Sequence, residues 1–189
     1  MPQIHKLDTQ LINQIAAGEV VERPVSVVKE LVENSLDAGA TRIRVNLEAG
    51  GTKLIEVSDN GSGIAPEDFP LVFEKHATSK ISNLQDLQNV LSFGFRGEAL
   101  ASISSVSETT LFSRQRGEIQ GYSISSENSE VQVVSCEEGT KIRVENLFAN
   151  TPARLNYLKT ERTEYHKIVE FVQSMALAYP EVSFEILSE

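Results

Sequence analysis

The 189 residues suffice for one domain with a sizeable core, and 40% apolar with 23% charged residues is an ordinary globular balance. No apolar run approaches the roughly 18 to 20 residues of a membrane span, and the start shows no charged-then-apolar signal pattern, so the expectation is a protein with no membrane partner. Seventeen basic residues against 27 acidic ones leave a net charge of −10, which opposes strong nucleic-acid binding by this chain alone. The single cysteine, Cys136, forbids an internal disulfide and points to a cytoplasmic compartment.

In chain order, Asp8 can cap a short helix carrying Leu11, Ile12 and Ile15, with Gly18 as its stop. This makes residues 1–20 an apolar arm that cannot bury all of itself. Pro24 suits the first turn of a main helix that runs to about Ala38, before Gly39. Thr41 to Glu48 alternates as a half-exposed strand. Gly50 and Gly51 mark a turn, and Lys53 to Ser58 is the return strand. Pro66 to Lys75 reads as a short helix, and the polar, glycine-punctuated stretch 76–97 as a lid. A helix over Glu98 to Ser104 precedes strands near Ser107 to Ser113, Glu118 to Ser125, Glu130 to Ser135 and Gly139 to Glu145. Phe148 to Leu158 is a loop with a short helix. Arg162 to Ala178 is an amphipathic helix with Ile168, Val169, Val172, Met175 and Ala176 on one face, and Val182 to Leu187 is a last strand. Strand runs beside separate helices, joined mostly by hairpins, predict an α+β two-layer sandwich: a mixed, mostly antiparallel sheet backed by helices.

Five groups of residues carry chemistry. Glu30, Asn34 and Asp37 recur at i, i+4 and i+7, so they share one helix face. A carboxamide oxygen there can ligate a hard cation such as Mg²⁺, and a carboxylate can orient and deprotonate water; a plain solvated face has the same spacing. Asp59, at a strand end before Gly61 and Gly63, can accept from an exocyclic amine while the glycines let backbone lie against a flat ring; Asp-x-Gly-x-Gly is also an ordinary turn. Gly94, Phe95, Arg96 and Gly97, just ahead of a helix, can offer peptide N–H groups to phosphate, though the spacing is not that of a Walker loop. Thr78, Ser79 and Lys80 can bind phosphate, whereas His76 has no partner at zinc-ligand spacing. Thr140, paired with Asp59 across the sheet, can complete a purine contact with its hydroxyl, although threonine is also simply a good strand residue.

The order of these signals resembles the GHKL ATPases, the superfamily of DNA gyrase B, the large heat-shock chaperone, histidine kinases and MutL. Within it, Asn13 to Val20, His76 to Lys80, Gly94 to Leu100 and Asn150 to Arg154 look like MutL-type mismatch-repair proteins. The resemblance implies the Bergerat ATP-binding fold over 21–189, with 1–20 as a dimerisation arm and 76–97 as the lid. It implies Glu30 as general base, Asn34 as the Mg²⁺ ligand and Asp59 as the reader of the adenine amine, with Thr140 nearby. Gly61 and Gly63 would line the base pocket. Thr78, Ser79, Lys80 and the backbone of Gly94, Phe95, Arg96 and Gly97 would cover the phosphates, and Asp37 would hold the helix or a bound water. The implied cofactors are ATP and Mg²⁺. The implied partners are a second copy joined in an ATP-dependent dimer, the mismatch sensor MutS, a nicking endonuclease and a helicase, with DNA met weakly or only by the full-length protein. The resemblance further implies a bacterial, nucleoid-associated location during repair. It also implies a transducer-like subdomain and a C-terminal domain beyond this stretch, without which hydrolysis is slow or absent. A nucleotide-gated interaction module that does not hydrolyse ATP is the alternative.

Overall fold

The computed structural model describes Asp8, Ile12, Ile15, Ala17, Gly18, residues 20–75, Ala77 and residues 98–189. Helix α1 spans Pro24–Asp37. Pro24 occupies its first turn, where a missing N–H is no loss, and Arg23 stands at the N-cap without a side-chain cap bond. The chain leaves α1 through Gly39 in the left-handed region, with Gly39 N–H donating to Leu36 O and Ala40 N–H to Ser35 O. Strand β1 (Arg42–Glu48) turns through a 3₁₀ stretch, Ala49–Gly51, into β2 (Leu54–Asp59). A second 3₁₀ stretch covers Pro66–Leu71. Then come α2 (Ala99–Ser104), β3 (Glu108–Arg114), β4 (Gly121–Ser125), β5 (Gln132–Val134) and β6 (Gly139–Glu145). Helices α3 (Pro152–Tyr157) and α4 (Glu161–Ala178) precede β7 (Ser183–Ser188).

The strands form one seven-stranded sheet in the order β5-β4-β3-β6-β2-β1-β7. Every pairing is antiparallel except β1 with β7. The mixed sheet, backed by helices, is the predicted α+β sandwich. Hairpins join β1 to β2, β3 to β4 and β4 to β5, while β6 inserts between β2 and β3 and β7 returns through α4 to the β1 edge.

Alternation decides the faces. Ile43, Val45, Leu47, Ile55, Val57, Leu111, Ile142 and Val144 are buried, and α1 and α4 cover them with Val27, Val28, Leu31, Val32, Ile168 and Val172. Each such side chain contributes roughly 1.5–3 kcal/mol by leaving water, so this layer contact dominates stability. The opposite face is polar. There Arg143 meets Glu56 at 3.3 Å directly across the β2–β6 ladder, and Lys141 sits 4.7 Å from the ring centroid of its β3 partner Phe112.

Three expectations need correction. Gly18 does not stop the first helix: Gly18 and Val20 are helical and Val21 N–H donates to Ala17 O. The Pro66 helix is a 3₁₀ stretch that ends at Leu71, with Pro70 inside it unable to donate an α-helical bond. On α4 the buried stripe is Glu164, Ile168 and Val172, flanked by Tyr165, Phe171 and Met175, while Ala176 is exposed. An acid inside the stripe shifts its apparent centre toward the helix C-terminus when apolar residues alone are counted.

Candidate functional site

On the helix-facing side of the sheet, the rows nearest the centre are apolar: Val57 opposes Ile142, which opposes Leu111, which opposes Ile124. Two residues further along, the side chains that share this face become Asp59, Thr140, Ser113 and Tyr122, again in register across β2, β6, β3 and β4. The polar row lies at the sheet end that α1 approaches with its C-terminal half. Three donors hold the Asp59 carboxylate. Ser35 Oγ lies 2.8 Å from Oδ2, Gly61 N–H donates to Oδ1 at 2.8 Å and Thr140 N–H donates to Oδ1 at 3.3 Å. Ser35 also lies 3.0 Å from Leu31 O, and its one proton serves the closer, charged acceptor. Burial pushes the Asp59 carboxyl above its ordinary value, and the Gly61, Ser35 and Thr140 donors pull it part of the way back.

The rest of the row is knit by Ser113. Its hydroxyl donates to Gly139 O at 2.7 Å, stands 3.1 Å from Thr140 Oγ1 and accepts from Ile64 N–H at 2.9 Å. The predicted pairing of Asp59 with Thr140 is therefore present, but Thr140 reaches Asp59 through its peptide N–H while its hydroxyl faces Ser113. Asn60 faces the other way: its Oδ1 accepts from Thr41 N–H and Arg42 N–H, fixing the turn to the start of β1. Gly63 and Gly139 both have φ in the left-handed region, at 74° and 105°. A Cβ at Gly63 would overlap Arg114 O, and one at Gly139 would overlap Asp59 O, so both glycines permit backbone to close against backbone.

Glu30, Asn34 and Asp37 lie on α1; Glu30 and Asn34 are half-buried and Asp37 is exposed. Asn34 immediately precedes Ser35, so the bond from Ser35 to Asp59 fixes this end of the helix against the polar row. Thr78, Ser79, Lys80, Gly94, Phe95, Arg96 and Gly97 lie outside the described residues. Among the described residues no group of three or more His, Cys, Asp or Glu side chains is placed to hold a metal. No helix among them is long and apolar enough to cross a membrane. An open groove of about 470 Å³ on the β4–β5 hairpin, lined by Ile119, Gln120, Val133, Val134 and Ser135, includes no member of the polar row.

Residues 22–151 match the family model of the histidine kinase-, DNA gyrase B-, and HSP90-like ATPases. The chain belongs to this ATPase family. Within it the similarity is to MutL proteins. A DNA mismatch repair protein MutL from Actinobacillus pleuropneumoniae is 55% identical over 98% of this chain and 30% of its own length. That from Lactobacillus acidophilus is 56% identical over 98% of this chain and 30% of its own. The Aquifex aeolicus MutL ATPase domain, solved in complex with ADP, superposes with a TM-score of 0.71 at 41% identity, covering 90% of this chain and 61% of that one. The chain thus spans about 30% of the length of the curated relatives it matches.

Ser35 and Ser113 were not singled out from the sequence, yet they carry two of the bonds that shape the row. Each had a signal. Ser35 continues the buried α1 stripe of Val28, Leu31 and Val32, and Ser113 continues the inward alternation of Thr109 and Leu111. A small hydroxyl where the pattern calls for an apolar side chain marks a buried polar contact.

Proposed function

We propose that this chain is the ATP-binding and slowly hydrolysing switch module of a MutL-type mismatch-repair protein, comprising an arm (1–20) and an ATPase domain (21–189) with its lid at 76–97. The observation that supports this best is Asp59. It is a half-buried carboxylate whose donors among the described residues are all neutral, at the end of a sheet, bonded to the helix that carries Glu30 and Asn34. Such a group retains acceptor capacity for an amine, and an adenine amino group supplies the donor. Gly61, Gly63 and Thr140 would border the base.

On α1, Glu30 would take the proton of the attacking water as general base, and Asn34 would offer its carboxamide oxygen to Mg²⁺. That donor set fits: magnesium keeps most of its ligands as water and phosphate oxygen and needs one or two protein oxygens rather than a cage. When bound, the ion supplies charge neutralisation at the phosphates. Asp37 would steady the helix end or a water. Thr78, Ser79, Lys80 and the Gly94–Gly97 backbone would cover the phosphates. In the whole protein, nucleotide would order the arm, join two copies and present them to MutS, an endonuclease and a helicase, until hydrolysis resets the switch.

The test is calorimetric titration of the chain with a non-hydrolysable ATP analogue, with and without Mg²⁺, against the GTP analogue. Magnesium-dependent one-to-one binding with preference for adenine is expected. Equal affinity for both bases would remove Asp59 from its role, and absence of binding would remove the pocket.

A further inference from the structure

Two of the stretches that carry the resemblance, Asn13 to Val20 and Asn150 to Arg154, approach each other in the structure at Gly18 and Arg154. The guanidinium of Arg154 fills the place where a Cβ at Gly18 would stand, with Cζ 3.1 Å from that position. Ala17 beside it is fully buried, and Val21 N–H closes a helical bond to Ala17 O at 2.7 Å. Gly18 is therefore a point of close approach inside a helical turn. The guanidinium also lies 5.9 Å from the ring centroid of Phe148, which is fully buried at a φ of 65°. The turn around Phe148 is clamped to the end of α2: Phe148 N–H donates to Val106 O at 2.7 Å and Asn150 Nδ2 donates to Ser105 O at 3.0 Å. Thr151 N–H returns to Phe148 O and Arg154 N–H to Thr151 O, both at 2.9 Å, so the residue that meets Gly18 is rigidly tied to the residues that meet α2.

We propose that Arg154 is a positioning residue that seats the helical segment around Gly18 on the domain and, through the 148–154 turn, ties its place to the end of α2. A guanidinium suits the task because it reaches the bare Cα of Gly18 with one nitrogen while its centre stays within cation–π range of the Phe148 ring. The link to turnover rests on the nucleotide reading above: Val21 leads through Arg23 into α1, so the seat sets the entry of the helix that carries Glu30 and Asn34.

Amide hydrogen exchange on the whole chain, read at Val21, tests the seat without nucleotide. Gly18→Ala drives a methyl into the guanidinium and is expected to speed exchange at Val21 about tenfold. Arg154→Ala is expected to speed it similarly. In the double variant the methyl has room and replaces a poor helix former, so exchange should be about fivefold slower than in Arg154→Ala alone. That reversal of sign is required; Gly18→Ala speeding exchange in both backgrounds overturns the proposal. Amides of β2 and β6 report whether the sheet persists. If Arg154→Ala loosens them as well, Arg154→Lys decides: loss of protection at Val21 with the sheet intact supports the guanidinium seat, and protection like the parent's overturns it. With a non-hydrolysable ATP analogue, the parent should show further slowing at Val21. Arg154→Ala should bind the analogue within about twofold of the parent yet lose that slowing. Equal slowing in both overturns the link between seat and site. Failure of the parent to bind overturns the nucleotide reading and leaves the sign reversal to decide the seat.

Discussion

Asp59, at the end of β2, and Glu164, in the first turn of α4, are both carboxylates withdrawn from water, Asp59 in part and Glu164 fully, and they are held differently. Glu164 Oε1 accepts from Arg23 Nη1 and from Lys159 N–H, each at 3.0 Å, in a helix turn whose dipole favours an anion. Among the described residues, the groups bonded to Asp59 are one hydroxyl and two peptide N–H groups, and its carboxyl is pushed above its ordinary value by burial. The contrast separates two uses of a buried charge. Arg23 and Glu164 join the entry of α1 to α4: a cation and a peptide N–H share Oε1, while Oε2 is buried with no partner among the described residues. Among the described residues no cation is paired with Asp59, and its carboxylate retains acceptor capacity for a further donor.

The contrast can be broken most severely at Glu164. Glu164→Ala removes the buried anion of half-buried Arg23, leaving it the exposed Glu22 at 3.6 Å, and is expected to destabilise the chain by about 4 kcal/mol in urea unfolding, with nucleotide affinity little changed. A loss below about 1 kcal/mol would show that the pair is not what joins the two helices. Next in size is Gly139→Ala, where a methyl at a φ of 105° would overlap the Asp59 carbonyl. About 3 kcal/mol of stability and the geometry of the Thr140 N–H should be lost together. Retained analogue affinity in a folded Gly139→Ala chain would show that the Thr140 contact is dispensable.

Most of the layer architecture was legible because period and punctuation are local: Ile43, Val45 and Leu47 alternate, and Pro24 and Gly39 bracket α1. The family came from the order of short motifs, and Asp59 opposite Thr140 followed from reading two strand ends together. What was not legible is long-range. Nothing local in Val182 to Leu187 says that it pairs parallel to β1, nor that Gly18 makes room for a side chain from residue 154. Nor does anything local mark Glu164 as buried, since its partner, Arg23, is 141 residues away. Ser113 bonds to backbone that reaches it only once β6 has entered the sheet between β2 and β3.

A smaller effect sharpens the contrast from the other side. Asp59→Asn should change stability by less than about 1 kcal/mol, because the amide oxygen can still accept from Gly61 and Thr140 while Ser35 turns its proton to Leu31 O. Analogue affinity should nevertheless fall by about 2 kcal/mol, roughly 30-fold, since the replacement presents a donor to the adenine amine. Calorimetry beside urea unfolding on the same sample reads both. A stability loss equal to that of Glu164→Ala would make Asp59 a structural residue of the same kind.

The smallest effect has a distinctive sign. The folded chain holds the Asp59 proton more tightly than the unfolded chain, because burial raises the carboxyl. Between the ordinary carboxyl value of about 3.9 and the raised folded value, the native state binds more protons, so this group's contribution to stability falls as pH rises through that window and is constant above it. That is opposite to an acid held by a cation, which loses stability on acidification. Nucleotide affinity should move the other way: protonation removes the charge that accepts from the amine, so binding weakens as pH falls through the same window. Unfolding and analogue titrations across acidic pH, parent against Asp59→Asn, isolate the group, since both slopes should flatten in the variant. Identical slopes in the two chains would mean that Asp59 does not titrate in this window, and its holding by neutral donors would then have no consequence for binding.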